Sequence, residues 1–160
     1  ERFRLALDSV PADALRRSSH DWGAAEVIQH LHLSEQGMWR YLVKKSKAQW
    51  SELPQSDLAS DQAGMELIRA LLSDRRWKDP TGGLISPDVN GVNLEDSLSD
   101  WLKTQDEMWH QLKEFYQDLG WWTVKLFRHP VAGYLSLSDT FAFANAHIDH
   151  HIKQLDRLQA

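Results

Sequence analysis

The chain has 160 residues, 42% apolar and 26% charged, with a formal net charge of −5; this suits one domain over residues 1–160 with a sizeable core. The negative balance leaves no basic footprint for nucleic acid, and no apolar run approaches the roughly 20 residues of a membrane span. With no cysteine, disulfides and thiolate ligands are excluded, so any metal must be held by imidazole and oxygen; with no signal peptide in view, the cytoplasm is the expected compartment.

The chain opens at Glu1 rather than at methionine, as expected of a processed or trimmed start. Glu1 to Ser9 reads as the end of a helix, apolar at Phe3, Leu5, Ala6 and Leu7 and stopped by Pro11. After a connector from Ala12 to His20, Asp21 or Ser19 is placed to cap a long helix from about Trp22 to Ala48. Its buried stripe is Ala24, Val27, Ile28, Leu31, Met38 and Leu42, and basic residues crowd its C-terminus, where they suit the helix dipole. His30 and His32 flank this stripe on opposite sides, so periodicity leaves open which of them reaches the bundle centre.

Pro54 breaks the pattern, and Asp57 to Asp74 forms a shorter helix. Arg75 to Asn93, rich in Pro and Gly, is a long connection of the kind found in lids, binding loops or plain crossovers. Asn93 caps the next helix, Leu94 to Leu119, in which Leu94, Leu98, Trp101, Gln105, Met108, Leu112, Phe115 and Leu119 alternate steps of four and three. That repeat is bundle packing with one polar interruption, at Gln105; Gly120 is expected to end it. The stretch that follows is mixed, with a turn at Pro130 and Gly133 and no strand signal comparable to the helical ones.

Ser136 or Ser138 caps the last helix, Phe141 to Leu158, and Ser136 with Asp139 has capping-box spacing. Its apolar side carries Phe141, Ala144, Ile148, Leu155 and Leu158, with His151 inside that stripe and His147 at its edge. His147 and His151 stand one helical turn apart and can hold one metal ion between them. A pair of buried histidines satisfied by hydrogen bonds is the alternative reading. His150 points well away. Four main helices and a minor one result: an all-α chain.

Two stretches, Trp22 to Glu35 (WGAAEVIQHLHLSE) and Phe127 to Gln154 (FRHPVAGYLSLSDTFAFANAHIDHHIKQ), carry a wider likeness. A Trp-led helix with His-Leu and a later Glu, a His-Pro-x-x-Gly turn, and His-x-x-x-His followed by Gln come in the order that resembles the DinB/YfiT-like superfamily of metal-binding four-helix bundles. The resemblance covers most of the chain from Trp22 onward and implies an up-down-down-up bundle, whose long crossover the connection from Gln49 to Val92 can supply. It also implies a three-His site, in which the histidine of the Trp-x(7)-His-Leu pattern is His30 and the other two are His147 and His151. The first helix is short for such a bundle, a departure that concerns the N-terminal packing rather than the ligands.

Three neutral imidazoles leave a divalent ion with open positions, as in catalytic rather than closed structural sites. Such an ion acidifies a bound water or favours a bound thiolate. The resemblance implies either a thiol S-transferase using a low-molecular-weight thiol or a metal-dependent hydrolase, with a small-molecule substrate and, in some members, a homodimer. Zinc and nickel suit the ligands, as do iron(II) and manganese. Glu26, one turn before His30, and Gln154, three residues after His151, are candidates for orienting the imidazoles. Trp22, one of eight tryptophans, and His129 are candidates for the pocket wall. A non-catalytic bundle whose ion fixes helix packing is the reading of a different class.

Overall fold

The computed structural model describes residues 2–12, 15, 22–73, 85–88, 93–115 and 117–158, with residues 113–115 described by their backbone alone. Among the described residues five helices dominate, α1 (Arg2–Asp8), α2 (Ala24–Lys45), α3 (Leu58–Ser73), α4 (Leu94–Phe115) and α5 (Leu137–Arg157), with 3₁₀ turns at Trp50–Glu52 and Leu119–Thr123. They pack as a helical bundle. The proposed caps at Asp21 and Ser19 and most of the connection from Arg75 to Asn93 fall outside the described residues.

α2 begins at Ala24 rather than Trp22, because extended Gly23 takes the N-cap and donates its N–H to the Glu26 carboxylate at 3.1 Å. Its stripe packs chiefly on α4, while α1 and α3 both pack on α5. Three apolar clusters result among the described residues. One gathers Phe3, Leu7, Val27, Ile28, Leu31, Trp101 and Leu155; a second gathers Met38, Leu42, Met108, Leu112, Trp121, Leu126 and Leu137; a smaller third joins Met65 and Ile68 of α3 to Leu135. The step from Leu31 to Met38 on α2 and from Trp101 to Met108 on α4 crosses from the first cluster to the second.

Asn93 caps α4 as expected, its side chain accepting the N–H groups of Glu95 and Asp96 at 2.9 and 3.2 Å. Gly120 does not end that helix. It lies in the 3₁₀ turn capped by Asp118, and a Cβ there would run into the indole of Trp50, so the glycine serves close packing.

The expectation of no strand needs correction. β1 (Lys125–His129) and β2 (Gly133–Ser136) form an antiparallel hairpin, with His129 opposite Gly133 and Phe127 opposite Leu135. Gly133, at φ +77°, supplies the left-handed residue that closes the three-residue loop between them. A two-stranded ribbon is marginal by itself. Here Leu126 and Leu135 are buried, Lys125 pairs with Asp61 of α3 at 3.1 Å, and the backbone from Pro54 to Ser56 bonds to Thr123 and Lys125. Tertiary packing, not strand length, holds the hairpin.

The hairpin runs straight into α5, which starts at Leu137 rather than Phe141. Ser136 is the cap: its Oγ accepts the Asp139 N–H at 3.1 Å and donates to the Asp139 carboxylate at 2.7 Å. The buried line of α5 is Leu137, Thr140, His147, His151 and Leu155, whereas Phe141, Ala144 and Ile148 are only half-buried. The histidines therefore lie along the deepest side of the helix and not partly at its margin.

Candidate metal centre

α2 and α5 bring His30, His147 and His151 together, and all three are buried. Nε2 of His147 lies 3.1 Å from Nε2 of His30 and 3.1 Å from Nε2 of His151. One ligand atom from each of the three lies within 4.8 Å of the others. A tetrahedral ion with bonds of about 2.0–2.1 Å spaces its nitrogens by roughly 3.3 Å, so the two short separations need only a slight opening.

The remaining ring nitrogens decide the protonation. His30 Nδ1 lies 2.8 Å from the Ile85 carbonyl and His151 Nδ1 lies 2.9 Å from Gln154 Oε1. An oxygen acceptor at Nδ1 fixes the proton there and leaves Nε2 with a bare lone pair. Two lone pairs thus face His147 Nε2. A single proton on that atom serves one of them at a time, whereas a cation at the common point satisfies all three rings. The donor set fits a divalent ion.

Electrostatics agree. Burial, followed by the neighbouring His151 and His30, holds His147 well below the ordinary histidine value. Burial and then His30 bring His151 down to about 3. Neutral imidazole is the ligand form, so burial keeps His147 and His151 ready for metal through the physiological range.

The choice between His30 and His32, open to periodicity and made for His30 by the resemblance, has its physical basis in the neighbours of α2. His30 turns to α5, and His32 turns to α4, where its Nε2 meets Thr104 Oγ1 at 3.0 Å. Gln154 sits where a residue orienting His151 is expected. Glu26 does not take the corresponding place at His30: its carboxylate accepts Gly23 N, and a backbone carbonyl, that of Ile85, stands at His30 Nδ1 instead. A main-chain acceptor has no residue-type signature, which is why sequence reasoning missed it.

Trp22 packs its indole against the His30 ring, with centroids 4.9 Å apart. His129 is buried beside the cluster, edge-on to Phe143 at 4.8 Å, and Phe143 in turn stacks on His147 at 5.6 Å. His129 also has the turn role: its Nδ1 accepts the N–H groups of Val131 and Ala132 at 3.2 and 3.0 Å. His150 leaves the cluster and bonds to the Leu72 carbonyl.

A second buried polar group lies on α2. Glu35, 3% exposed, accepts from Trp101 Nε1 at 2.7 Å and from the Gln105 amide, both on its Oε2, while Oε1 has no hydrogen-bond partner among the described residues. Burial outweighs those two donors and raises its carboxyl to about 7. The signal was present in the sequence: Glu35 continues the spacing of Ile28, Leu31, Met38 and Leu42, and the polar interruption at Gln105 is its partner across the seam.

The sequence model of the DinB superfamily matches residues 1–155, and the chain belongs to that superfamily. No curated protein and no solved structure matches it. The chain is predominantly helical, as the resemblance implied, and the buried group of His30, His147 and His151 is compatible with metal binding. Among the described residues, no helix is long and apolar enough to cross a membrane.

Proposed function

We propose that this chain is a divalent-metal-dependent enzyme acting on a small molecule, by thiol S-transfer or by hydrolysis, with His30, His147 and His151 as the ligands. One observation carries the reading: the His30 and His151 lone pairs point at a third imidazole nitrogen 3.1 Å away, with their own protons spent on Ile85 and Gln154. Zinc or nickel fits three imidazoles best, with iron(II) and manganese as alternatives. An ion with positions left open supplies Lewis acidity that acidifies a water or a low-molecular-weight thiol. The chain's own part is positional. Ile85 and Gln154 fix the rings, and Trp22 covers His30. The net charge of −5 fits a cytoplasmic protein without nucleic-acid partners, and a homodimer is the assembly that the family resemblance suggests.

Elemental analysis of the purified wild type against His30→Ala and His32→Ala tests the centre. About one equivalent of metal in wild type and His32→Ala, and none in His30→Ala, is expected; equal retention in both variants overturns it. Turnover is then assayed with zinc- and nickel-loaded protein, using a panel of low-molecular-weight thiols with an alkylating electrophile and a panel of ester and amide substrates.

A second reading has its own observation. α2 packs far more extensively on α4 than on α5, and the histidines bridge that thinner seam. An ion serving as a structural clasp predicts a large fall in melting temperature on chelation with no activity against either panel. The enzyme reading predicts lost turnover with helicity retained.

A further inference from the structure

Beside the three-His group lies a cavity of about 30 Å³, walled by Ile68, Leu72, Ile85 and Phe143, with His129 and His147 as its polar members. That volume exceeds what one water requires, and it is well short of the space that holds a benzene ring. Leu72, Ile85 and Phe143 are half-exposed, so the cavity reaches the surface on their side.

The hairpin loop dictates what His129 can offer there. With Val131 and Ala132 both donating to Nδ1, that nitrogen must keep its lone pair, and the proton of the neutral ring resides on Nε2. Protonating Nδ1 would set an N–H against two N–H groups, so the loop geometry itself disfavours the imidazolium. His129 thus contributes a fixed, uncharged donor. Among the described residues, the walls contribute no carboxylate to receive an amine or cation and no cationic side chain to hold an anion.

We propose that His129 Nε2–H is the hydrogen-bond donor of a ligand pocket that takes a compact, neutral, oxygen-accepting group, such as a ketone, ester or amide carbonyl, next to the metal centre. The proposal rests on the metal-dependent reading for the identity of that ligand as a substrate. It narrows the substrate to molecules whose carbonyl end enters between Phe143 and Ile85 while the reacting end meets the ion. His147 forms part of the cavity wall and part of the ligand set, so a group seated there adjoins the centre.

Two small probes separate the donor from the space: acetone, which only accepts, and xenon, which does neither. The test uses the full chain, metal-free and zinc-loaded, with imidazole ¹⁵N resonances followed by NMR. His129 is expected as the Nε2–H tautomer at neutral pH, and its Nε2 resonance should shift saturably with acetone and stay put with xenon. His129→Asn keeps a side-chain oxygen able to accept the loop amides, while its Nδ2 amide stops short of the place of Nε2 and so takes the donor out of reach of the cavity. It should bind xenon like wild type and acetone roughly three- to tenfold more weakly, the range of one hydrogen bond. An Nδ1–H tautomer, an acetone response that never saturates, or equal acetone affinity in wild type and His129→Asn overturns the proposal. If His129→Asn also loses xenon, the wild-type Nε2 response decides by itself: a saturable shift upholds the donor and its absence sinks it. Zinc stoichiometry measured on the same samples reports the metal reading separately, so acetone binding without zinc, or zinc without acetone binding, shows which of the two fails.

Discussion

α2 buries two polar clusters little more than a turn apart, and they are opposites in hydrogen-bond terms. Around His30, on the seam with α5, acceptors converge: lone pairs face a third nitrogen, and the protons point outward to Ile85 and Gln154. Around Glu35, on the seam with α4, donors converge: an indole N–H and an amide N–H both point at one carboxyl oxygen. The first arrangement lacks a positive charge where its rings meet, whereas the second meets its shared oxygen with two donors. Burial alone therefore does not mark a metal site, since both clusters are equally deep. The direction of the protons does.

This contrast is open to experiment. The largest effect should come from His147→Ala, which removes the nitrogen shared by both short contacts; zinc affinity is expected to fall by at least about a hundredfold, beyond the loss typical of an orienting residue, as read by competition with a chromogenic chelator. Glu35→Gln should leave zinc affinity unchanged, and a shared loss would merge the two clusters into one site.

Glu35 has a pH signature instead. Its folded value of about 7 exceeds the ordinary glutamate value of 4.5, so the neutral acid's contribution is full below pH 4.5 and is lost as pH rises through 7. Wild type should therefore lose up to roughly 3 kcal/mol relative to Glu35→Gln between pH 4.5 and 8, measured by urea unfolding at each pH. His147 and His151 titrate in the other sense. Folded values held below 6.5 stabilise above pH 6.5, and that contribution fades as pH falls toward about 3. Metal-free His147→Ala should flatten this acid limb and leave the Glu35 limb intact.

Smaller effects sharpen the picture. Gln154→Ala keeps all three ligands but frees the His151 ring, so about a tenfold loss of zinc affinity is expected, at the low end for an orienting partner; an unchanged affinity would return Gln154 to a surface role. Ser136→Ala removes the α5 cap, outside both clusters. It should cost about 1 kcal/mol in chemical denaturation and alter neither the metal stoichiometry nor the pH slope.

Much of the fold was legible because its signals are local. The four-three repeat of α4 as far as Leu112, the Asn93 and Ser136 caps and the Gly133 turn depend on residues within a few positions of one another, and the structure has each of them; the last step of the repeat fails, since α4 ends at Phe115 and Leu119 is exposed in the 3₁₀ turn. The hairpin was not legible: its strands are short, begin beside a 3₁₀ turn, and gain their stability from α3 and from the backbone near Pro54. The buried line of α5 was displaced for a related reason. A helix pressed by α1 on one side and α3 on another buries a side that its own apolar residues do not centre on.

The sequence by itself determined that His147 and His151 share a helix face, since 3.6 residues per turn allows nothing else. It also held the two polar interruptions, Glu35 and Gln105, without saying that they meet. Tertiary structure alone decided that α2 lies between α4 and α5, sending His32 to Thr104 and His30 to the other histidines. It alone supplied the Ile85 carbonyl that sets the His30 tautomer. Periodicity fixes the angle at which a side chain leaves its helix; which neighbour waits at that angle, and whether it offers a proton or a lone pair, depends on packing between segments distant in the chain.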